Sequence, residues 1–358
     1  MRLISFAAAL ACAMQTATPA QAQPACGGNF RSFVEDLKQE AISRGHASST
    51  VNRFFAPVQR DTAVIQADRR QGVFRKSFTE FARHLISRNR LNTGRTKADQ
   101  YGPVFDRIER EYGVSRGVLL AFWAFETDFG GFQGNFSPAN TTGAWAGEIG
   151  MVQMLPEDIL TNGIDGDGDG KVSLKTSAVD ALMSGANMLR DLGWRAGEPW
   201  LQEVTVPADL DWSRTGLRTT MAASDWEQRG VRPRHGSITG HLPANIILPE
   251  GHRGPAFIAY PNFRVFFEWN QSFTYVLTAA YFANRLEGAP VFDAGNPAPG
   301  LSGPQMKQLQ RKLQARGYDV GKIDGILGAG TRAAVQDMQQ RLGLPADAWP
   351  TQGLLGRL

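Results

Sequence analysis

Apolar residues recur at helical spacing along much of the chain. Residues 30–45 (FRSFVEDLKQEAISRG) repeat apolar side chains every three to four positions and end at a glycine. In residues 101–113, Val104 and Ile108 fall on one helical face. Helices are predicted in this way for residues 30–45, 77–88, 101–113, 114–131, 177–194 and 272–286. We therefore expect a mainly α protein.

A different pattern follows in the middle of the chain. Residues 203–255 carry scattered Pro, Gly, Thr and Trp without a helical period. PAFIAY (255–260) and FRVFFEW (263–269) are short apolar runs separated by a Pro–Asn pair, which predicts two short strands. The pattern thus adds a small β element to the helical fold.

A segment rich in Pro, Gly and Ala divides the chain. Residues 291–303 predict a linker between a large domain, 23–290, and a small one, 304–358. The small domain shows two apolar helical faces, formed by Met306, Leu309 and Leu313 and by Ala334, Val335, Met338 and Leu342. So small a core suits binding better than catalysis. The alternative is a helical cap on the large domain, but the linker favours a tether.

The first residues predict export. Arg2 precedes an apolar run, residues 3–14, and Ala20-Gln21-Ala22 offers a signal-peptidase site, so we expect a signal peptide over 1–22. The run is too short for a membrane-spanning helix. A lipoprotein modified at Cys12 is ranked second, because Ala rather than Leu stands three residues before it.

Charge and composition exclude some classes of protein. The formal charge of +4 and the pI near 9.2 fit mild attraction to an anionic polymer or an ordinary basic surface. No dense basic stripe is present, so we expect no nucleic-acid partner. No segment after the first residues has the length and apolarity of a transmembrane helix. The five histidines show no ligand spacing, so no zinc site is predicted.

Glu126 lies in an unusual setting, AFWAFETDFGG (121–131). A carboxylate buried among aromatic rings is costly unless it is protonated or paired, and burial raises its pKa. A raised pKa suits a general acid. The alternative is a surface glutamate, and the pattern alone leaves both open. Asp128 lies about 200° around the helix, so it is not a well-placed second acid.

Several segments resemble one enzyme family in sequence order. They are GVLLAFWAFETDFG, GAWAGEIGMVQMLP, DGDGDGKVSL, GANMLRDLGWRAGEPW and GPAFIAYPNFRVFFEWNQSFTYV. Together they resemble the lytic murein transglycosylases of the membrane-bound-transglycosylase-B type over most of residues 30–290. The tail, 309–344, is similar to a peptidoglycan-binding module. The resemblance implies a lysozyme-like α+β catalytic domain with a small β element, plus a small all-α C-terminal peptidoglycan-binding domain.

The resemblance also implies an activity. Such enzymes cleave the MurNAc-GlcNAc β-1,4 bond of peptidoglycan and leave 1,6-anhydroMurNAc ends. Glu126 matches their single general acid/base, which needs no second carboxylate. A hydrolytic muramidase is the alternative enzyme, and it would require one.

Further site residues are implied by the same resemblance. Gln153, Trp269, Asn270 and Tyr275 match substrate-binding positions of the cleft. Tyr275 also fits a core tyrosine. Trp269 stands where the family usually has Tyr, so it retains a stacking surface but not the hydroxyl. Ala144 replaces a serine that hydrogen-bonds the catalytic glutamate in some members, and Thr141 or Thr142 is a candidate substitute.

The acidic segment after residue 164 resembles a calcium loop. The expected ligands are Asp165, Asp167, Asp169, the Lys171 carbonyl, Ser173 and Thr176, with Gly170 at the turn. Thr176 occupies the position that normally carries a bidentate Glu. We therefore expect weak, structural Ca²⁺ binding, and the alternative is an acidic turn without metal.

One stretch departs from the family pattern. Only residues 131–144 connect the Glu126 helix to the next motif, which predicts an internal deletion near Ser137-Pro138. Because relatives can carry a cysteine in that stretch, the resemblance implies that a partner for Cys26 was lost with it. A third hypothesis is therefore a wall-binding protein that has lost catalysis. In each case we expect peptidoglycan as partner, a monomer, and the periplasm of a Gram-negative bacterium as location.

Overall fold

The structure contains two compact units that divide after Asp61. The computed structural model describes residues 28–69, 76–134, 144 and 147–358. In the first unit, α1 (Phe30–Ser43) packs against α2 (Ser48–Phe55). The Asn29 side chain caps α1 by accepting hydrogen bonds from the amides of Arg31 and Ser32.

The second unit is built largely from helices. Its helices before the sheet are α3 (Thr62–Arg69), α4 (Phe78–Leu85), α5 (Arg88–Gln100), α6 (Gly102–Tyr112), α7 (Arg116–Thr127), α8 (Pro156–Asn162) and α9 (Ala178–Asp191). α7 lies at the centre, because its residues from Gly117 to Ala124 are all buried. A helix that is apolar on every side must be surrounded by other elements. The helices α5, α6 and α9 pack around it.

Two further helices complete this core. They are α11 (Pro261–Trp269) and α12 (Phe273–Leu286), and α12 packs along α7. Gly117 allows the close approach, since a Cβ there would lie 2.7 Å from the carbonyl oxygen of Ala283. At the other end of this pair, the C-terminal ends of α7 and α11 and the N-terminal end of α12 meet in one region.

A small sheet lies between α9 and α11 in sequence. Its strands are β1 (Leu201–Thr205), β2 (Met221–Ala222), β3 (Arg232–Pro233), β4 (Pro243–Ile247) and β5 (Ala256–Ala259), with α10 (Ala223–Gln228) between β2 and β3. The strand order is β2-β4-β5-β1-β3, and all pairs are antiparallel. Leu201 pairs with Ala259, which joins the sheet to the segment that leads into α11.

One of the two strand predictions is wrong. PAFIAY does contain β5, but FRVFFEW lies in helix α11. Pro261 supplies the first turn of that helix, where its missing amide hydrogen costs nothing. Phe263 and Phe266, three positions apart, are buried on the same face. Short apolar runs do not distinguish strand from helix, and here the proline decides.

The C-terminal domain contains α13 (Gly303–Gln314), α14 (Ala329–Arg341) and α15 (Gln352–Arg357) around its own small core. This domain packs against the large one, so the expectation of a loose tether is wrong. Gln336 donates hydrogen bonds to the carbonyl oxygens of Trp212 and Thr215, each at 3.0 Å. His252 Nδ1 lies 2.6 Å from Asp347 Oδ2 across the same seam.

The linker is also held in place. Trp349 Nε1 donates to the carbonyl oxygen of Ala298 at 2.8 Å, so the ring lies on the linker.

The predicted fold class, a mainly α protein with a small β element and an all-α C-terminal domain, is confirmed. Among the described helices, none combines the length and apolarity that a bilayer crossing requires.

Candidate active site

Glu126 lies one residue before the C-terminal end of α7, where the buried helix reaches the surface of the core. Asp128, just after it, adopts left-handed backbone geometry (φ 51°) and ends the helix. The Thr127 hydroxyl donates to the carbonyl oxygen of Met151 at 2.6 Å. This bond fixes the segment around Gln153 beside the end of α7.

Two side chains donate hydrogen bonds to the Glu126 carboxyl group. The Tyr275 hydroxyl on α12 and the Trp269 indole nitrogen at the end of α11 both donate to Oε1, the latter at 3.2 Å. Within the described part of the chain, no hydrogen bond reaches Oε2. The carboxyl group therefore has one oxygen held by the protein and one available to a substrate.

Burial raises the pKa of Glu126 from 4.5 to about 7. The hydrogen bonds from Tyr275 and Trp269 oppose this change, because they stabilise the ionised form. The negative charge of Glu148 adds to the increase. Glu126 is therefore partly protonated near neutral pH, as a general acid requires.

Aromatic rings hold both donors in place. Trp269 stacks on Phe122 with ring centroids 4.3 Å apart and an interplanar angle of 20°. Tyr275 contacts Phe125 edge to face at 5.8 Å, and Phe125 stacks on Phe282 at 5.1 Å. The aromatic residues beside Glu126 in sequence thus also orient its hydrogen-bond donors.

Two other carboxylates lie near the site in sequence or space. Asp128 is exposed and forms an ion pair with Arg90 at 2.8 Å. Glu148 lies in the GAWAGEIGMVQMLP segment, and its negative charge raises the pKa of Glu126. The sequence pattern did not single out Glu148, because 22 positions separate the two residues and only the folded loop brings them near.

Gln153 lies in a tight loop beside α7. Its backbone is left-handed (φ 51°), and its Nε2 donates to the carbonyl oxygen of Gly150 at 2.6 Å. An antiparallel bridge between Ile149 and Met154 closes this loop. Within the described residues, no protein group donates a hydrogen bond to the side-chain oxygen of Gln153. A sugar hydroxyl is a suitable partner for it.

Asn270 joins α11 to α12. Its Oδ1 accepts a hydrogen bond from the Ser272 amide at 2.9 Å, and Ser272 in turn caps α12. Of the predicted substrate-binding residues, Trp269 and Tyr275 contact Glu126, whereas Gln153 and Asn270 stabilise neighbouring turns. Their roles toward a substrate stay predictions.

The acidic loop folds around a buried aspartate that sequence reasoning missed. Carboxylate oxygens of Asp165, Asp167 and Asp180 lie within 4.8 Å of one another. Asp180, on α9, is almost fully buried and accepts hydrogen bonds from the amides of Gly166 and Ser173. The spacing rule pointed to residue 176, and Asp180 lies four residues beyond it, inside α9.

The remaining predicted loop ligands are arranged differently. Asp169 accepts a hydrogen bond from the Lys171 amide, and the Ser173 hydroxyl lies 2.7 Å from the Thr176 hydroxyl. Three converging carboxylates repel one another, and a hard cation with oxygen ligands relieves that repulsion. The residues present therefore fit a calcium ion.

Some of the sequence predictions concern residues outside the described ranges. They are the signal peptide, Cys26, Thr141, Thr142 and the deletion point near Ser137-Pro138. Ala144 is described, and its amide donates to the carbonyl oxygen of Glu148 at 2.8 Å. Its methyl side chain offers no hydrogen bond to Glu126.

Family models match both parts of the chain. The model described as "Transglycosylase SLT domain" matches residues 29–141 and 133–284. The model described as "Putative peptidoglycan binding domain" matches residues 302–358. The first model alone covers more than half of the chain.

Individual relatives agree with these matches. SltB3 from Pseudomonas aeruginosa, solved in complex with NAG-anhNAM-pentapeptide, is 32% identical, with a TM-score of 0.80 over 92% of this chain and 99% of that one. Membrane-bound lytic murein transglycosylase B of Escherichia coli is 22% identical over 288 residues, 70% of this chain and 77% of the relative. Escherichia coli Slt35, solved in complex with calcium, shares the fold at 19% identity, with a TM-score of 0.60 over 71% of this chain and 92% of that one.

The resemblance predicted from the sequence is confirmed by these findings. The chain belongs to the transglycosylase SLT domain family.

Proposed function

We propose that this protein is a lytic transglycosylase that cleaves the MurNAc-GlcNAc β-1,4 bond of peptidoglycan and forms 1,6-anhydroMurNAc ends. One observation carries the proposal: Glu126 has a pKa raised to about 7 and a carboxyl group held through one oxygen. A single group of this kind serves first as acid and then as base. Membership of the family supports the same reaction class.

The first step is proton donation. Tyr275 and Trp269 occupy Oε1 of Glu126, so the acidic proton is carried on Oε2. Glu126 donates it to the glycosidic oxygen as the bond from that oxygen to C1 of the muramic acid breaks. The electron pair stays with the departing GlcNAc oxygen, and positive charge develops at C1.

The second step regenerates the acid. The ionised Glu126 is stabilised by the two hydrogen bonds, which favour the charged form. It accepts the proton of the C6 hydroxyl while that oxygen bonds to C1 and closes the anhydro ring. No water is consumed, and Glu126 ends the cycle protonated.

The test is a digest of purified peptidoglycan with the parent protein and with Glu126→Gln. We expect anhydromuropeptides from the parent by mass spectrometry and a loss of at least about 10³-fold in the variant, since the reaction loses its only acid and base. Gln has the same shape, so both proteins are expected to fold alike. Products from Glu126→Gln at the parental rate would contradict the assignment.

The docked C-terminal domain supports binding to the same polymer. Its match to a peptidoglycan-binding family is the basis of this part of the proposal. Because the domain is held against the catalytic domain by Gln336 and Asp347, polymer binding orients the whole enzyme on the wall. If the parent cosediments with peptidoglycan but releases no muropeptides, the protein binds the wall without catalysis.

The export, the location and the oligomeric state of the protein belong with this proposal. A signal peptide over residues 1–22 and a periplasmic location follow from the substrate, which lies outside the cytoplasmic membrane, and from the apolar run at 3–14. A monomeric state stays a prediction.

The acidic loop is proposed to bind a structural calcium ion. Asp165 and Asp167 would hold it as predicted, and Asp180 would supply the carboxylate that Thr176 lacks. Bound calcium would neutralise the converging carboxylates and stabilise the start of α9. The chemistry at Glu126 does not require it.

A further inference from the structure

Arg332 of the C-terminal domain makes an unusual contact with the catalytic domain. It lies in the first turns of α14, and its guanidinium carbon is 4.3 Å from the centroid of the Phe273 ring. Its Nη2 donates to the carbonyl oxygen of Pro249 at 2.7 Å, which fixes the group on the catalytic domain. Cation–π contacts of this kind are strongest where water is excluded.

The position of Arg332 is costly. Burial lowers the pKa of its guanidinium to about 10, and its Nε is buried without a hydrogen-bond partner. Among the described residues, no carboxylate forms a salt bridge with it, but the negative charges of Glu250 and Asp347 raise its pKa and offset part of this cost. The ring contact with Phe273 is the feature that connects Arg332 to α12.

Phe273 connects this contact to both donors of Glu126. It is the first residue of α12, two positions before Tyr275. Its ring also contacts Phe267 of α11 at 6.4 Å, two positions before Trp269. Phe273 therefore lies between the two helix ends that present hydrogen bonds to the carboxyl group.

Helix ends are the parts of helices that fray. Tyr275 lies in the first turn of α12, whose cap is a 3.4 Å bond from the Tyr275 amide to the Ser272 hydroxyl. A cation resting on Phe273 restrains this turn from outside the catalytic domain. A displacement of about 1 Å in such a group is enough to slow a reaction by about 100-fold.

We propose that Arg332 is a positioning residue for catalysis: through Phe273 it holds the first turn of α12, and with it Tyr275, against Glu126. The catalytic site is thus completed by the C-terminal domain. This inference rests on the proposed function of Glu126.

The test compares Arg332→Ala with the parent on a soluble tetrasaccharide of the wall glycan, which needs no wall binding. We expect kcat to fall roughly tenfold or more while KM changes less than about twofold, since only the alignment of the acid is lost. Arg218→Ala is the matched control: Arg218 donates to Ala333 and Gln336 across the same seam, and it donates no hydrogen bond to the described residues of α12. It is expected to retain the parental kcat.

A double-mutant cycle separates positioning from general destabilisation. If Arg332 acts through Tyr275, then Arg332→Ala causes no further loss in a Tyr275→Phe background. Arg332→Lys keeps a cation over the ring and should recover most of kcat. Equal losses with and without the Tyr275 hydroxyl, or an unchanged kcat in Arg332→Ala, would overturn the inference.

The titration of Glu126 gives a readout that does not need turnover. Tyr275 lowers the pKa of Glu126 through its hydrogen bond, so Arg332→Ala should raise that pKa, while the charge of Glu148 is common to both proteins. Carbon NMR of the labelled side-chain carboxyl measures it. An unchanged pKa overturns this inference even in a protein without activity, whereas an inactive parent with the shifted pKa defeats only the proposed reaction.

Discussion

Opposing influences set the proton affinity of the Glu126 carboxyl group. Burial and the charge of Glu148 favour the protonated form, whereas Tyr275 and Trp269 stabilise the ionised form. A catalyst that must donate and then accept one proton needs this balance, because either extreme would slow one of the two steps.

The charge of Glu148 gives a residue-scale prediction. Glu148→Gln removes a negative charge that raises the pKa of Glu126, so the pKa should fall. Because the reaction needs Glu126 protonated, the alkaline limb of the pH–kcat profile should move to lower pH. Tyr275→Phe is the opposite case, since it removes a hydrogen bond that lowers the pKa of Glu126. The alkaline limb of its pH–kcat profile should therefore move to higher pH.

The measurement is kcat on a soluble glycan between about pH 4 and 9, a range that spans the usual and the raised pKa of a glutamate. Limbs that move in the same direction in both variants would contradict the electrostatic account. Complete loss of product in Glu148→Gln would instead point to Glu148 as a second catalytic carboxylate.

The sequence predicts some of these residues and misses others for a physical reason. Glu126 stands out because a carboxylate among aromatic residues is rare. Asp128 is excluded as a second acid because residues two positions apart point to opposite sides of a helix. Glu148 and Asp180 act through space from separate elements. Nothing in the local pattern reports such contacts, so only the fold identifies them.

At the scale of elements, α7, α11 and α12 are the frame of the site. α7 provides Glu126, and the adjoining ends of α11 and α12 provide its two donors. The helical period predicted α7 and α12 because both are long. It failed for α11, where nine residues carry too few turns to separate helix from strand.

The acidic loop and α9 carry the calcium prediction. Calcium at about ten times its dissociation constant should stabilise the parent by about 1.4 kcal/mol and raise its Tm. Asp180→Asn should abolish most of this increase, because it removes one of three converging charges. Thr176→Val is the control and should retain it.

Thermal unfolding with calcium and with a chelator measures both variants. If Thr176→Val loses the increase and Asp180→Asn keeps it, the ligand set predicted from the loop spacing is right and the geometric one is wrong. Magnesium at the same concentration tests whether the site prefers the larger cation.

The whole molecule differs from the linked pair of domains that composition suggested. Residues 291–303 have the composition of a flexible linker, yet Trp349 covers part of this segment and Gln336 is buried in the domain seam. Linker composition measures the freedom of an isolated chain. It says nothing of side chains elsewhere that bind the segment.

Docking of the C-terminal domain gives a prediction at this scale. Gln336 donates to carbonyl oxygens on both domains, those of Trp212, Thr215 and Ala346. Gln336→Ala leaves buried acceptors without donors and should lower the free energy of unfolding by about 2 kcal/mol. Gln314→Ala, an exposed glutamine on α13, should change it by less than about 0.5 kcal/mol.

Denaturant unfolding of the full-length chain compares the two variants. A docked pair of domains should unfold together in the parent, and Gln336→Ala should separate an early transition of the C-terminal domain. Equal stability of both variants would mean that the seam contributes little.

The central claim is that Glu126 alone carries both proton transfers and that the C6 hydroxyl, not water, attacks C1. Digestion of peptidoglycan in ¹⁸O-labelled water, with products read by mass spectrometry, tests this most directly. Attack by the C6 hydroxyl should give anhydromuropeptides without the label. Reducing-end products that carry ¹⁸O at C1 would contradict it and assign the reaction to a hydrolase.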